Sequence, residues 1–379
     1  MRIGILTYHK SLNNGSALQA YALKKKLQNM NYNVEIIDYT PEKYKEIYGL
    51  LATYGHSSFL KKIALFGRRL FLIDMFLSNK RKYTSFQQKY LSLSKKKYFF
   101  NSDFEALNNE YDVLITGSDQ IWNTVCADCD LIYFLPISHI ARKVAYAPSC
   151  NDTKQFEEKY IHLLQDYDNI SVREESGKKT IDTILPHMDI RVASDPTFLL
   201  EPKDYEHFGN NRLIRQDYIF LYSVKYSDDV IESAKLLSKK LRIPVYTMVL
   251  FPQMRIIRKL KKSGIKYKRH NNGPVDFLNY IKNSKFVVSD SFHGTAFSLI
   301  FNKQFYSVNI RSNNILTNDE RICTILEKMN LKNRYLTFDM ICNLKEMPVI
   351  NYKEVSPKKR AYANESIEWL KNAVEGKKE

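Results

Sequence analysis

Two doubly wound α/β lobes are predicted by three features of the sequence. A strand, a helix and a second strand follow one another at residues 3–7, 16–27 and 34–39, with Ser16 as the expected N-cap of the helix. The same alternation starts again after Gly209, and short apolar runs throughout the chain end in Gly, Ser or Asp. Such βαβ units join parallel strands through right-handed crossovers, so we expect two parallel sheets covered by helices.

The first lobe is expected at residues 1–208, the second at residues 209–345, and a tail helix at residues 346–379 that packs back on the first lobe. Further strands are predicted at residues 112–116, 143–147, 170–173, 192–194, 218–224, 245–249, 286–289 and 305–308. Further helices are predicted at residues 229–241, 275–283 and 293–301. Because open parallel sheets bind ligands at the carboxyl ends of their strands, we expect a ligand in a cleft between the lobes.

The composition favours a cytoplasmic protein with an anionic partner. Of 379 residues, 58 are Lys or Arg and 41 are Asp or Glu, so the net charge of +17 attracts phosphate groups. The five cysteines are odd in number and scattered, which fits a reducing compartment. No apolar run approaches the roughly 18 residues of a membrane span, and no signal peptide is visible. Cys126 and Cys129 lack a second pair of ligands, so no metal is expected.

A basic segment at residues 56–97 contains eleven Lys or Arg residues and a single acidic one, Asp74, with apolar residues between them. An amphipathic helix of this kind can lie on an anionic membrane with its apolar side down. It is also typical of a surface helix whose basic face is only solvated. A surface that binds nucleic acid is a third interpretation of the positive charge. No nucleic-acid-binding module is visible in the sequence, so we expect no nucleic-acid partner.

The segment that most clearly indicates an anion site is residues 285–296, where a buried strand ends at Ser289 and a helix begins near His293. The free N–H groups and the dipole of a helix start favour an anion, and Gly294 would let a ligand approach the backbone. Here His293 would act as a general acid or base beside Ser291. Alternatively, the histidine only caps or fills the start of the helix.

Three other places carry residues suited to an anion. Arg173 follows a short strand, where its guanidinium can hold a carboxylate or phosphate through two hydrogen bonds, or can pair with Glu174 or Glu175. The turns Asn14-Gly15-Ser16 and Gly117-Ser118-Asp119 also follow strands and offer backbone donors, although either can be an ordinary tight turn. The sequence patterns of phosphate-binding loops, zinc peptidases and α/β-hydrolases are absent from the sequence.

A set of motifs occurs in a fixed order along the chain. The motifs are Gly4-Ile5-Leu6-Thr7-Tyr8-His9, residues 14–23, Gly117-Ser118-Asp119-Gln120-Ile121-Trp122-Asn123, Tyr146-Ala147-Pro148-Ser149, Ser171-Val172-Arg173-Glu174, residues 194–200 and Ser291-Phe292-His293-Gly294. With these motifs the chain resembles the polysaccharide pyruvyl transferase family. The resemblance runs from the first strand to about Arg334 and so covers nearly the whole chain.

The resemblance implies a two-lobed fold similar to GT-B glycosyltransferases, phosphoenolpyruvate as donor, no cofactor, and a sugar acceptor that is often carried on a lipid diphosphate. The product would be a pyruvate ketal on a surface polysaccharide, such as an exopolysaccharide or capsule, made at the inner face of the plasma membrane. By the same resemblance, His293 is the acid–base residue and Arg173 clamps the donor.

One position departs from the family pattern, because Ser291 stands where some members have an arginine. Either the donor phosphate is held by another cation, for which Arg311 and Arg321 are the candidates, or the donor is not the usual one. The alternative function is a glycosyltransferase with the same two-lobed fold that uses a nucleotide sugar.

Overall fold

The computed structural model describes residues 1–48, 72–100, 102–150, 153, 155–312, 315–316 and 318–377. These residues form two compact units. The first contains residues 1–48, 84–200 and 360–377, and the second contains residues 72–83 and 201–359. Compared with the expected lobes, residues 201–208 lie in the second unit and residues 360–377 lie in the first.

The first unit is built on a seven-stranded sheet in the order β3-β2-β1-β4-β5-β6-β7, and all of its strand pairs are parallel. Its strands are β1 (Arg2–Leu6), β2 (Asn33–Thr40), β3 (Leu93–Phe99), β4 (Val113–Thr116), β5 (Arg142–Ala145), β6 (Asn169–Val172) and β7 (Arg191–Val192). The described helices that begin in this unit are α1 (Asn14–Asn29), α2 (Tyr44–Tyr48), α4 (Leu107–Glu110), α5 (Glu158–Gln165) and α6 (Glu175–Ile184), with 3₁₀ turns at Leu131–Phe134 and Pro196–Leu199.

The second unit has a six-stranded sheet in the order β10-β9-β8-β11-β12-β15, again with parallel pairs throughout. Its strands are β8 (Ile219–Tyr222), β9 (Val245–Thr247), β10 (Lys266–Tyr267), β11 (Phe286–Ser289), β12 (Gln304–Val308) and β15 (Tyr335–Leu336), beside a separate antiparallel pair of β13 (Arg311–Ser312) and β14 (Ile315–Leu316).

The described helices that begin in the second unit are α3 (Ile73–Tyr90), α7 (Asp228–Leu241), α8 (Met254–Lys262), α9 (Pro274–Asn283), α10 (Phe292–Ile300), α11 (Glu320–Lys328), α12 (Phe338–Cys342) and α13 (Tyr352–Glu375), with 3₁₀ turns at Pro202–Phe208 and Lys332–Arg334. Two parallel sheets with flanking helices confirm the predicted α/β class.

The central strands of both sheets are buried, as is usual where helices cover both faces of an all-parallel sheet. In the first unit, every residue of β4 is buried, and so are Ile3 and Ile5 of β1. The four residues of β8 and the four of β11 are likewise buried in the second unit. Their apolar side chains therefore appear in the sequence as continuous runs rather than as an alternation.

The described part of the basic segment is not a single amphipathic helix. Residues 56–71 lie outside the described residues; residues 73–90 form α3, and residues 93–97 belong to β3. Leu72 and Met75 are buried in the core of the second unit, so the interpretation that they lie on a membrane is wrong. Lys80 and Arg81 are exposed, as a solvated basic face would be. Among the described helices, none is both long enough and apolar enough to cross a membrane.

Candidate active site

In the first unit, the strand order reverses between the central neighbours β1 and β4, and three predicted site residues lie just beyond these two strands. The hydroxyl of Thr7, after β1, donates to the carbonyl oxygen of Ser118, after β4, at 3.2 Å. The hydroxyl of Ser16 donates to the carboxylate of Asp119. Since doubly wound sheets bind ligands where their strand order reverses, these contacts place Ser16, Ser118 and Asp119 at the favoured position.

The predicted turn at Asn14, Gly15 and Ser16 is the first turn of α1 instead. The N-cap is Asn13 rather than Ser16, and its side chain accepts a hydrogen bond from the N–H of Gly15 at 2.9 Å. The sequence alone did not distinguish the two residues, because Asn and Ser are equally favourable at the N-cap and Asn13 and Ser16 lie close together in the chain. Asn14 and Ser16 are both buried at the start of the helix.

Gly117 begins the turn after β4 in a conformation that requires glycine. Its φ of +120° is one that residues with a side chain rarely adopt, and a Cβ atom would lie 2.1 Å from the carbonyl oxygen of Tyr146. The peptide bond between Gly117 and Ser118 is cis. The turn therefore brings the next two residues, Ser118 and Asp119, against the start of α1.

Arg173 lies beyond the end of β6 and is almost fully buried, with 2% of its surface exposed. Its Nη2 atom donates to the hydroxyl of Ser118 at 2.6 Å and forms an ion pair with Asp195 Oδ2 at 3.1 Å. The other oxygen of Asp195 caps the following 3₁₀ turn by accepting from the N–H of Thr197 at 2.9 Å. Arg173 is thus held by a buried counter-ion, and its role as a donor clamp stays a prediction.

Glu174, one of the two ion-pair partners considered for Arg173, accepts hydrogen bonds from other groups. Its Oε1 atom lies 2.7 Å from the N–H of Cys150 and 3.1 Å from the hydroxyl of Ser149, both of which donate to it. The salt bridge to Arg173 is formed instead by Asp195, which was not among the partners considered from the sequence.

In the second unit, the strand order reverses between β8 and β11. Ser223 follows β8 and Asp290 follows β11, and the hydroxyl of Ser223 donates to Asp290 Oδ2 at 2.7 Å. The other oxygen, Oδ1, has no hydrogen-bond partner among the residues that the structure describes. Burial raises the pKa of Asp290 to about 6, although the bond from Ser223 acts in the opposite direction. Asp290 is therefore a candidate acid–base group that the sequence did not single out.

The predicted succession of strand, turn and helix at residues 286–300 is present. Ser291 is the N-cap of α10, and its N–H donates to the hydroxyl of Ser289 at 3.0 Å. His293 is the second residue of the helix and is 5% exposed. Its ring centroid lies 5.2 Å from that of Phe292. The helix start thus holds His293 near the carboxyl end of β11, three residues after Asp290.

Gly294 has a structural role that differs from the predicted one. A Cβ atom at this position would lie 2.1 Å from Ser289 Oγ and 2.7 Å from Ser289 Cβ. The space beside the glycine is therefore filled by the last residue of β11, not left open for a ligand. Glycine is needed because α10 packs directly against the end of the strand.

The two candidate arginines differ in what they contact. The guanidinium of Arg321 stacks over the ring of Phe292, 5.8 Å from its centroid, and its Nε and Nη2 atoms donate to Asp319 at 2.9 and 2.6 Å. Arg311 pairs with Asp339 at 2.5 Å and is 45% exposed. Of the two, Arg321 has a contact with the start of α10.

Three residues of these arrangements were not predicted: Ser223, Asp290 and Asp195. The sequence signal for Asp290 and Asp195 was their position directly after short strands. Ser223 was not recognised in this way, because the strand was predicted at residues 218–224 and so included Ser223 instead of ending before it. Among the described residues, no group of three or more His, Cys, Asp or Glu is arranged to hold a metal ion.

We predict that Gly294→Ala destabilises the second unit by about 1–3 kcal/mol, because the new methyl group overlaps Ser289. Thermal or urea unfolding measures the change. Adding Ser289→Gly should recover much of the loss, since it removes both overlapping atoms. Gly209→Ala is the control for a glycine lost without overlap: nothing lies within 4 Å of its Cβ position, so its cost comes only from its φ of +80°, and Ser289→Gly should not recover it. An equal loss in Gly294→Ala with and without Ser289→Gly would contradict the packing argument.

Asp195→Asn should destabilise the first unit by about 3–5 kcal/mol, because it leaves the buried guanidinium of Arg173 without its counter-ion while keeping an acceptor for Thr197. Asp189→Asn is the matched control: Asp189 also pairs with an arginine, Arg191, but both side chains are more than half exposed. It should cost at most about 1 kcal/mol. Equal losses for the two variants, measured by urea unfolding, would argue against the buried pair.

The raised pKa of Asp290 predicts a pH effect on stability with a definite sign. Between the ordinary carboxyl pKa near 4 and the folded value of about 6, the folded state binds more protons than the unfolded state, so stability falls as pH rises through this window. The linked change is at most about 3 kcal/mol. Asp290→Asn should flatten this part of the curve of unfolding free energy against pH.

Asp228→Asn is the control for this measurement, because Lys259 lowers the pKa of Asp228 and so moves its titration below the window. It should leave the slope between pH 4 and 6 unchanged. A slope that persists in Asp290→Asn would show that another group titrates there.

Comparison with known proteins agrees with the motifs. The family model for polysaccharide pyruvyl transferase matches residues 13–312. No curated protein sequence matches the chain significantly. Solved structures with a similar chain path include UDP-GlcNAc 2-epimerase from Neisseria meningitidis. The two sequences are 10% identical, the alignment covers 98% of this chain and 100% of that chain, and the TM-score is 0.49.

Two others are a putative UDP-N-acetylglucosamine 2-epimerase from Listeria monocytogenes (10% identity, 100% and 97% covered, TM-score 0.48) and heptosyltransferase WaaC from E. coli (12% identity, 87% and 100% covered, TM-score 0.39). At such scores the likeness says nothing about the reaction of this chain. The family match spans most of the chain, and the chain belongs to the polysaccharide pyruvyl transferase family, a family of enzymes.

Proposed function

We propose that the protein transfers the pyruvyl group of phosphoenolpyruvate to a sugar of a lipid-linked precursor of a surface polysaccharide and forms a pyruvate ketal. The acceptor would place the enzyme at the inner face of the plasma membrane as a peripheral protein. No cofactor takes part in the proposed reaction.

The observation that carries this proposal is the position of His293 in the second unit. The residue lies in the second position of α10, directly after the turn at Asp290 and Ser291 and within the segment that matches the family model. A helix start offers unpaired N–H groups and the positive end of a dipole, both of which favour a phosphate or carboxylate. His293 thus lies where an acid–base group would stand beside a bound anion.

The proposed reaction has a balanced course. A proton is added to the methylene carbon of phosphoenolpyruvate, and the C2 atom becomes an electrophile that two sugar hydroxyls attack in turn. The C2–phosphate bond breaks, phosphate leaves with one proton, and the hydroxyls lose theirs, so that C2 carries a methyl group, a carboxylate and two sugar oxygens. The chain would supply a general acid that transfers the proton, and cations that stabilise the negative charge of the phosphate in the transition state.

Two side chains in the second unit suit the proton transfers. His293 carries an imidazole, the side chain most often used as a general acid or base, and burial raises the pKa of Asp290 to about 6. In this proposal His293 protonates the methylene carbon and Asp290 accepts a proton from a hydroxyl group. Arg321, which stacks over Phe292 next to His293, is the cation proposed for the position where some family members have an arginine and this chain has Ser291.

We predict that deleting the gene removes pyruvate ketals from the surface polysaccharide, and that the wild-type gene restores them. Purified protein should transfer label from the pyruvyl carbons of phosphoenolpyruvate to the lipid-linked glycan fraction of the deletion strain, with release of one phosphate for each label. His293→Asn should lower the rate by 10²–10⁴-fold, as is typical when an acid–base group is removed.

His187→Asn is the control, because His187 is an exposed histidine of the first unit, and it should leave the rate unchanged. Mass spectrometry of the glycan and the label measure the outcome. A deletion strain that keeps its pyruvate but lacks a sugar residue would overturn the proposal in favour of a glycosyltransferase that uses a nucleotide sugar.

A further inference from the structure

The segment at residues 254–270 of the second unit is strongly basic and has no acidic residue. Its seventeen residues include eight Lys or Arg. Seven of these are exposed. Six of the seven are called the basic surface below, and Arg269, which pairs with Asp74, is not included: Arg255, Arg258, Lys261, Lys262, Lys266 and Lys268. The segment consists of α8, a short turn, β10 at the edge of the sheet, and the residues that follow it.

The fold directs the charges of α8 to one side. Leu260 is fully buried, and Ile256 and Ile257 pack against the core of the second unit. Arg255, Arg258 and Lys262 follow one another at intervals of three and four residues, which places them on a common face of a helix. That face is exposed. The apolar side of α8 is thus used in folding, and its basic side is left at the surface.

Folding alone does not account for this charge pattern. Lys261 and Lys262 lie in the last turn of α8, where positive charge favours the helix dipole. Arg255 lies in the first turn, where positive charge opposes the dipole, and the first turn has no acidic residue. Like charges three or four residues apart also repel one another along the exposed face. A helix that is only solvated usually relieves this repulsion with interspersed Glu residues.

Neighbouring acidic residues pair with only part of the segment. Lys259 forms a salt bridge with Asp228 at 2.8 Å, and Arg269 donates to Asp74 at 2.9 Å. Arg258, Lys261, Lys262 and Lys268 have no salt bridge with any acidic residue in the part of the chain that the structure describes. These cations are available to an anionic partner.

We propose that the basic surface docks the second unit on an anionic lipid bilayer. This inference rests on the lipid-linked acceptor of the proposed function, which requires the enzyme to work at a membrane. Each basic residue close to an anionic bilayer strengthens binding, and α8 has no exposed apolar residue to insert, so attraction between charges drives the contact. A single-stranded nucleic acid is a poorer match, because α8 carries no aromatic residue on which bases can stack.

The test compares two triple variants in a vesicle sedimentation assay. The first, Arg258→Gln/Lys261→Gln/Lys262→Gln, removes three charges from the basic surface. The matched control, Arg360→Gln/Lys353→Gln/Lys358→Gln, removes one arginine and two lysines from exposed positions of another helix, α13. Both variants have the same net charge, and thermal unfolding checks that both are folded.

Wild-type protein should bind vesicles that contain phosphatidylglycerol and should not bind vesicles of phosphatidylcholine alone. The first variant should bind the anionic vesicles about 100-fold more weakly, and the control should bind within about threefold of wild type. Raising the salt concentration should weaken wild-type binding. Equal losses in the two variants, binding to neutral vesicles, or tighter binding to duplex DNA or RNA than to vesicles at the same salt would each overturn the proposal.

The assay separates this inference from the proposed function, since vesicle binding is measured without donor or acceptor. If the vesicles bind through the basic surface but no pyruvyl transfer is found, the docking surface stands and the proposed reaction fails. If transfer occurs on detergent-dispersed acceptor and the vesicles do not bind, the reaction stands and the docking surface fails.

Discussion

The reversal of strand order in each sheet is the constraint on which both candidate arrangements depend. Helices connecting parallel strands must cross over the sheet, and where the order reverses, neighbouring connections leave in opposite directions and open a space at the carboxyl ends of the strands. In the second unit, this reversal brings Ser223 and Asp290 together from distant parts of the sequence. In the first unit, it brings Ser118 and Asp119 against α1, where they contact Gln19 and Ser16.

The two units hold their candidate residues by different physical means. In the second unit, close packing is decisive: α10 starts where it does because Gly294 lies directly against Ser289, and the position of His293 follows from that start. In the first unit, a buried charge is decisive. Arg173 is held by Asp195 and by the hydroxyl of Ser118, so the position of its guanidinium depends on electrostatics in a region with little access to water.

Local pattern in the sequence predicted the central strands and several of the helices, but not the contacts between their side chains. The strand at residues 286–289 was predicted with the bounds of β11, and the helix that follows it was predicted within one residue, because buried strands and helix starts have strong local signals. The salt bridge between Arg173 and Asp195 depends on tertiary structure and has no local signal. Residues 93–97 form a strand, although their consecutive lysines show no alternation, because pairing with β2 decides their conformation.

That strand, β3, also bears on how the protein behaves at high concentration. Among the strands that the structure describes, it is the last on its side of the first sheet, so one row of its backbone groups has no partner strand there. An edge of this kind is a template on which a second molecule can add a strand, and natural proteins protect such edges with charge, especially lysine. Lys95, Lys96 and Lys97 lie side by side on β3 and are exposed. Two such edges repel each other, which keeps separate molecules from joining their sheets.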